Sequence, residues 1–445
     1  PTYDVFDEKR YFRPAKTPGI VDLTVRERTW HLGITICEDL WVESELQRQR
    51  IAGPDPIAKL VANNIDLLIN LSASPFSHSK GSLRQRIAAK ATERLGCPVI
   101  YLNQVGGNDE LIFDGASFIL NEKAERVLTL PCCKEELTVW DLNTKVTTTE
   151  IGSTTPEENL FQALVLGVRD YAVKCGFQKS LVGLSGGIDS ALVVIIAAAA
   201  LGVQKVTSIL MPSPWSSSGS IDDAMGLAQR LGINTHTVPI ATLMKSYESA
   251  LAIPLGKSPE GITAENLQSR IRGTLLMAIA NQQGHLLLAT GNKSELAVGY
   301  CTLYGDMNGG LSVIGDLYKT CVFELCNWLD SQAAYKARAQ FGLPSNGPLL
   351  GKAILEKPPS AELRPGQLDS DSLPDYEVLD PILKALIEEH QNPEELINSG
   401  MDPTLISRVL TMLKKAEFKR RQAPPLLKVS DQAFGSGWRI PIAST

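Results

Sequence analysis

The sequence predicts an α/β protein in at least two parts, the later part built on a doubly wound parallel sheet. Three observations predict it. Short apolar runs alternate with helical stretches along most of the chain, the pattern of layered α/β folds. In the second half the runs "SLVGLS", "KVTSILMP", "THTVPI" and "HLLLAT" are each separated by a helix, as crossover-linked parallel strands require. Between the two alternations lies "DLNTKVTTTEIGSTTPEEN", polar, Thr-rich and without periodicity. These place a first domain at 1–142, a linker at 143–158 and a second domain at 159–445.

In the first domain "HLGITIC", "IDLLINLS" and "CPVIYLN" read as strands buried on both faces. "PIAKLVANN" and "SLRQRIAAKATERLG" read as amphipathic helices, the second stopped by its Gly. "ELIFDGASFILNEKAE" reads as a hairpin-like antiparallel piece. At the linker's end "TTPEEN" offers an N-cap Thr, a Pro at the first helical position and early acids. From about residue 345 the chain turns Pro-rich, and "EKPPSAELRPGQLDSDSLPDY" reads as a mobile or irregular loop. "EVLDPILKALIEEH", "NPEELINSG" and "DPTLISRVLTMLKKAEFKRRQ" are helices, each with a start signal.

Composition excludes several classes. At 445 residues, 44% hydrophobic and 21% charged, the chain is an ordinary globular one. A net charge of −6 argues against a nucleic-acid binder, since such domains are basic. No apolar run reaches the roughly 18 residues of a membrane span, and no signal peptide is visible. The eight cysteines are scattered without C-x-x-C spacing, which reads as reduced thiols in a cytoplasmic protein.

The most informative stretch is "SLVGLSGGIDSALVV". A short strand stops at Ser185-Gly186-Gly187-Ile188-Asp189-Ser190, and an all-apolar helix follows. Such a turn aims backbone N–H groups at one point, at a helix end carrying about half a positive charge. Glycine lets the backbone approach a ligand closely, and the serines add hydroxyls. A phosphate is the natural guest. The loop is neither a Walker loop nor G-x-G-x-x-G. Asp189 would repel a phosphate directly but suits a magnesium ion placed between carboxylate and phosphate. Downstream, "HLLLATGNKSELAVGYCTLYGD" puts Thr290 and Glu295 at a strand's carboxyl edge, where such sheets bind ligands.

The motifs SGGxDS, GNKSELAVGY-x-T-x-YGD and KPPSAELRPGQ-x-D-x-DSLP-x-Y, in this order, resemble the NAD+ synthetases over about residues 155–445. The resemblance implies a PP-loop domain of the adenine nucleotide alpha hydrolase kind. It implies that ATP adenylates the nicotinate carboxylate of deamido-NAD+ and that ammonia then displaces AMP. On this reading Ser185, Gly186, Gly187, Asp189 and Ser190 form the pyrophosphate loop. Asp189 and Glu295 hold Mg2+. Arg272 and Thr290 help to hold ATP, while Lys319, Lys357 and Ser360 reach phosphates from mobile loops. Glu295 and Asp306 lie near deamido-NAD+. For Arg272 the alternative is a packing helix with a solvated guanidinium, and for Lys319 and Lys357 a solvated surface amine.

In the first domain "PTYDVFDEKRYF", "GITICEDLW", "NLSASPF" and "LNQVGGNDELIFDGASFIL" resemble the nitrilase-like glutaminases, an α/β sandwich, that precede NAD+ synthetase in the glutamine-dependent enzymes. The resemblance makes Cys37, at the end of its strand, the nucleophile of a Glu–Lys–Cys triad, and puts Tyr3, Glu38 and Ser74 in the glutamine pocket. In the family the Lys lies just before the segment matching Pro1–Tyr3 and the Glu farther upstream. A chain that starts at Pro1 is therefore expected to make NAD+ from ammonia alone. The resemblance also implies a homo-oligomer through the synthetase domains. "FGSGWRIPIA" resembles the family's ending, with Trp438 where a basic residue is more usual.

Two other readings differ in what they predict. Another PP-loop amidotransferase or ATP pyrophosphatase would adenylate a different carbonyl. A nitrilase-type amidase with a nucleotide-sensing domain would bind ATP without turnover.

Overall fold

The structure, a computed structural model, describes residues 11–13, 15–17, 19–43, 55–142, 154–435 and 437–443. Tyr3 and most of the expected linker lie outside the described residues. The chain divides into two compact units, residues 1–107 with 111–163, and residues 108–110 with 164–445.

The first unit is built on a six-stranded sheet. Strands β1 (Gly19–Val25), β2 (Arg28–Ile36), β3 (Leu67–Ser72), β4 (Val99–Asn103), β7 (Phe118–Leu120) and β8 (Arg126–Thr129) lie side by side in that order. β2, β3 and β4 are parallel, and antiparallel pairs β1–β2, β4–β7 and β7–β8 close the two sides. Helices α1 (Pro56–Val61) and α2 (Lys80–Leu95) pack on one face through Leu60, Ile87 and Ala91 against Leu68, Val99 and Tyr101. α1 starts where the Asp55 carboxylate accepts the Ala58 N–H. α2 ends where Gly96 enters the left-handed region, φ +65°, a state open to glycine without a Cβ penalty.

Three expectations for this unit need correcting. The central strands are not buried on both faces. Ile36, Leu71 and Leu102, which stand in register across β2, β3 and β4, are 58%, 47% and 40% exposed. Their even apolar composition concealed the two faces, which the alternation of side chains separates. The expected hairpin at 110–125 splits, because β6 (Leu111–Asp114) pairs with β5 (Val105–Asn108) while β7 turns back on β8. Cys37 does not end a strand: it opens a short 3-10 turn, Cys37–Leu40, with φ +46°.

Helix α3 (Pro156–Lys174) starts as its sequence predicts, with the Thr155 hydroxyl accepting the Glu158 N–H and Pro156 first in the helix. The last three residues assigned to the linker are thus helical. The second unit's sheet has the order β11 (Asn234–Thr237), β10 (Val206–Leu210), β9 (Ser180–Gly183), β12 (Leu286–Ala289), β13 (Leu311–Ser312), all parallel. Sequence reading missed β13, which is two residues long. Helix α4 (Ile188–Leu201) is buried from Ile188 to Ala198 except Asp189. It packs on β9 and β10 and against α5 (Ser218–Leu231) and α9 (Lys319–Asp330). α6 (Ala241–Leu255) packs on α7 (Ile262–Gln283), which covers Leu181, Ile209 and Leu287 with Leu276 and Ala280.

A second cluster joins α8 (Lys293–Val298) to α10 (Tyr376–Ile387) and α11 (Pro403–Lys415) through Leu296, Leu379, Ile382, Ile406 and Val409. Trp438 belongs to this cluster's rim. It meets Phe434 edge-on at 5.5 Å, and the Arg420 guanidinium stacks over both rings.

The chain runs from β9 through β10 to β11 in one direction, and β12 and β13 lie on the other side of β9. The order therefore reverses between β9 and β12, and loops leaving these strands diverge to leave a crevice at their carboxyl ends.

Candidate active site

The crevice is a cavity of about 300 Å³ lined from the ends of β9, β10 and β12. It touches every residue expected to meet ATP or deamido-NAD+ except Gly186, which sits in the same turn.

The turn after β9 is held by its own serines. The Ser190 hydroxyl donates to the Gly187 carbonyl at 3.0 Å and accepts the Ser185 N–H at 3.2 Å. The Ser185 hydroxyl accepts the Gly187 N–H at 3.2 Å. Gly186 has φ +84°, and a Cβ there would stand 2.1 Å from the Ser220 carbonyl oxygen of α5. Only glycine fits that approach. Gly187 is different: it is the N-cap of α4 in extended conformation.

Asp189 follows β9 and Glu295 follows β12, so the two carboxylates face each other across the switch point. Both reach the Lys319 ammonium, which bonds Asp189 closely and lies 3.5 Å from Glu295. Lys319 is 2% exposed and is the first residue of α9. This corrects the expectation of a mobile loop and removes the alternative of a solvated surface amine. Burial, with the Asp189 charge beside it, pushes the Glu295 carboxyl up to about 8, although Lys319 pulls the other way. Burial works against the Lys319 ammonium, but Asp189 and Glu295 overcome it and raise its pKa.

Two acids converging on one cation fit a divalent ion chemically, with phosphate oxygens completing its coordination. No cluster of three or more His, Cys, Asp or Glu suited to a metal occurs among the described residues.

Arg272 is not a solvated arginine. Its Nε donates to the Met211 carbonyl at 3.1 Å, and burial lowers its pKa, with Glu362 and Asp306 opposing. Asp306 accepts the Thr302 N–H at 2.7 Å and lines the cavity, where desolvation of its carboxyl pushes it up to about 6. Lys357 crosses to the turn: its ammonium donates to the Gly186 carbonyl at 3.2 Å and the Ser220 hydroxyl at 3.1 Å, and pairs with Asp223. Ser360 donates to the Gln367 carbonyl at 2.5 Å. The Pro-rich stretch is therefore irregular but tied down at several points. Thr290 lines the cavity where β12 ends.

Sequence reasoning missed four of the residues here. The Asn292 amide donates to Asp189 at 2.9 Å while its carbonyl oxygen accepts the Glu295 N–H. Asn-Lys-Ser-Glu is a capping box, a signal legible in the sequence. Asp369 accepts the Tyr376 hydroxyl at 2.8 Å, and the Tyr376 ring lies 5.5 Å from the Lys319 ammonium. Glu362 carried no local signal.

In the first unit the Cys37 carbonyl accepts the Asn70 amide at 3.3 Å. Glu38 and Ser74 are buried. Burial raises the Tyr101 hydroxyl above its usual range, with Arg84 opposing, and Cys37 and Ser74 are among the groups near enough to influence it. Arg84 fixes Ser74: its Nε donates to the Ser74 hydroxyl, one terminal nitrogen to the Ser74 and Pro75 carbonyls, and the other to both Asp114 oxygens. The sequence held a sign of this, since Arg84 shares the apolar face of α2 with Ile87, Ala88 and Ala91.

The fold and this crevice define a class: a parallel α/β unit that presents an anion-accepting turn and a carboxylate pair at its switch point. Comparisons with known proteins narrow it. A family model described as NAD synthase matches residues 160–423. The glutamine-dependent NAD(+) synthetase of Synechocystis sp. is 51% identical over all of this chain and 77% of its own length. That of Thermotoga maritima is 41% identical over all of this chain and 79% of its own length. A solved glutamine-dependent NAD+ synthetase from Acinetobacter baumannii, in complex with ADP, superposes with a TM-score of 0.71 at 36% identity, over 99% of this chain and 77% of that one. The Cytophaga hutchinsonii enzyme shares the fold, with a TM-score of 0.73 at 20% identity, over 99% of this chain and 78% of that one. The chain belongs to the glutamine-dependent NAD+ synthetases.

Proposed function

We propose that this chain forms NAD+ by adenylating deamido-NAD+ with ATP and amidating the product with ammonia, the ammonia coming from glutamine. Family membership supports the reaction. The observation that carries the site assignment is the convergence of Asp189, Glu295 and Lys319 under the 185–190 turn at the sheet's switch point. The ADP complex of the Acinetobacter relative supports a nucleotide in this crevice.

The turn and the N-terminus of α4 receive the polyphosphate through backbone N–H groups. A magnesium ion held by Asp189 and Glu295 would neutralise phosphate charge as pyrophosphate leaves. Lys319 and Lys357 add fixed positive charge on the same path, and catalysis is positioning plus electrostatics. Arg272 and Thr290 hold the nucleotide, Ser360 adds a hydroxyl, and Glu295 and Asp306 border the dinucleotide. Ammonia then attacks the activated carbonyl: a C–N bond forms, the C–O bond to AMP breaks, and a proton leaves the nitrogen.

In the first unit Cys37 is proposed as the glutaminase nucleophile, with Tyr3, Glu38 and Ser74 in the glutamine pocket. No helix among the described residues is long and apolar enough to cross a membrane. A cytoplasmic enzyme working as a homo-oligomer through its synthetase units completes the proposal. Pyrophosphate release with deamido-NAD+, ATP, magnesium and ammonium tests it. Release that requires deamido-NAD+ and yields NAD+ is expected. ATP binding without turnover would leave a nucleotide-sensing role instead.

A further inference from the structure

One acidic side chain in the cavity wall, Glu362, faces Arg272 but has been given no role of its own. Glu362 accepts the Ser217 hydroxyl at 3.0 Å and the Ser220 hydroxyl at 2.6 Å, both at the first turn of α5. A carboxylate is favoured there by the partial positive charge of the helix end. The backbone around Glu362 forms a closed strap. The Ser360 hydroxyl accepts the Glu362 N–H at 3.1 Å and donates to the Gln367 carbonyl, and the Gln367 side chain accepts the Leu363 N–H at 2.8 Å. On its other side the strap is tied to α7, where Gln268 donates to the Leu363 carbonyl at 2.7 Å. Lys357 leads into this strap and is the residue that reaches the phosphate turn.

We propose that Glu362 is a positioning residue for adenylation: its bonds to α5 hold the strap across the crevice and so deliver Lys357 to the nucleotide. The inference rests on the nucleotide reading above. Lys357 cannot hold the strap by itself. Its present partners are the Gly186 carbonyl, Ser220 and Asp223, and an ammonium that turns to a phosphate must release some of them. The contacts of Glu362 need not change, so they keep the strap on α5 while Lys357 exchanges partners. Holding the lysine in place beforehand removes an ordering cost from binding.

The test uses the full chain and two readouts. Losing two hydrogen bonds to a charged group corresponds to about a tenfold effect or more. Glu362→Ala is expected to raise the KM for ATP about tenfold and to leave kcat within about threefold. Glu362→Gln keeps an oxygen for both hydroxyls and should recover most of the loss. If Glu362 acts through Lys357, Glu362→Ala adds no further rise in a Lys357→Ala background. Independently of turnover, protease cleavage between residues 357 and 367 of the ligand-free protein should quicken in Glu362→Ala and not in Glu362→Gln. An unchanged KM for ATP in folded Glu362→Ala overturns the proposal. So does a full additional rise on top of Lys357→Ala, or an unaltered cleavage rate. Should the wild-type chain release no pyrophosphate, the nucleotide reading fails, and the cleavage rate still decides whether Glu362 holds the strap.

Discussion

Two carboxylates and one ammonium share a space at the heart of the crevice, and each depends on the others. Lys319 is nearly inaccessible, with Asp189 and Glu295 close by. Replacing Lys319 by Met should cost about 3 kcal/mol of stability, as removing one partner of a buried pair does. Urea unfolding at pH 7 measures it, and about the same loss is expected at pH 5, because Glu295, pushed up to about 8, already holds a proton at pH 7. Asp306 gives the opposite sign. Its carboxyl is raised from 3.8 to about 6, so the folded state holds a proton that the unfolded chain releases. Stability therefore falls as pH rises from 3.8 to about 6, and the cost is fully present above that range. Asp306→Asn should raise the thermal midpoint at pH 7.5, gain less at pH 5, and slow synthesis. An equal gain at both pH values would show that Asp306 is not held protonated.

At this scale the sequence showed which residues belong to motifs and not which of them touch. Ser185, Asp189 and Ser190 stand within one turn, and their neighbourhood is local. Lys319 reaches Asp189 across 130 positions, and Glu362 reaches Ser220 across 142. Nothing in local pattern brings such pairs together. It also put Lys319 on a mobile loop, whereas it opens α9 and is buried beside the pair of acids.

Among the elements, the turn between β9 and α4 is set by the approach of α5. Gly186→Ala would place a Cβ 2.1 Å from the Ser220 carbonyl in a residue with φ +84°. Either fault strains the backbone, so a loss of about 2 kcal/mol or more is expected. ATP binding should weaken with it, as calorimetry on the folded variant would show. Gly187→Ala, in an extended residue with only the Ser185 hydroxyl near its Cβ at 3.3 Å, should cost much less. The parallel strands were legible because each is a short apolar run between helices. β13 was not, because two residues show no period. The strands β2 to β4 misled in another way: apolar side chains on both faces read as burial on both faces, yet Ile36, Leu71 and Leu102 are exposed.

Across the whole molecule, the chain divides into two compact units. The synthetase motifs marked out about 155–445, and the family model matches 160–423 within it. Those motifs were legible because each is short and local to one strand end. The Arg84 network that fixes Ser74 was less legible, since Asp114 lies 30 residues away.

The proposed adenylation of deamido-NAD+ rests on Asp189 and Glu295, brought together at the switch point. Its most direct test is pyrophosphate release by the full chain with ATP, deamido-NAD+, magnesium and saturating ammonium, comparing wild type with Asp189→Ala and Glu295→Ala. Release matched by NAD+ formation is expected in the wild type, with a loss of about a hundredfold or more in either variant. Release at the wild-type rate by a folded Asp189→Ala protein would contradict it.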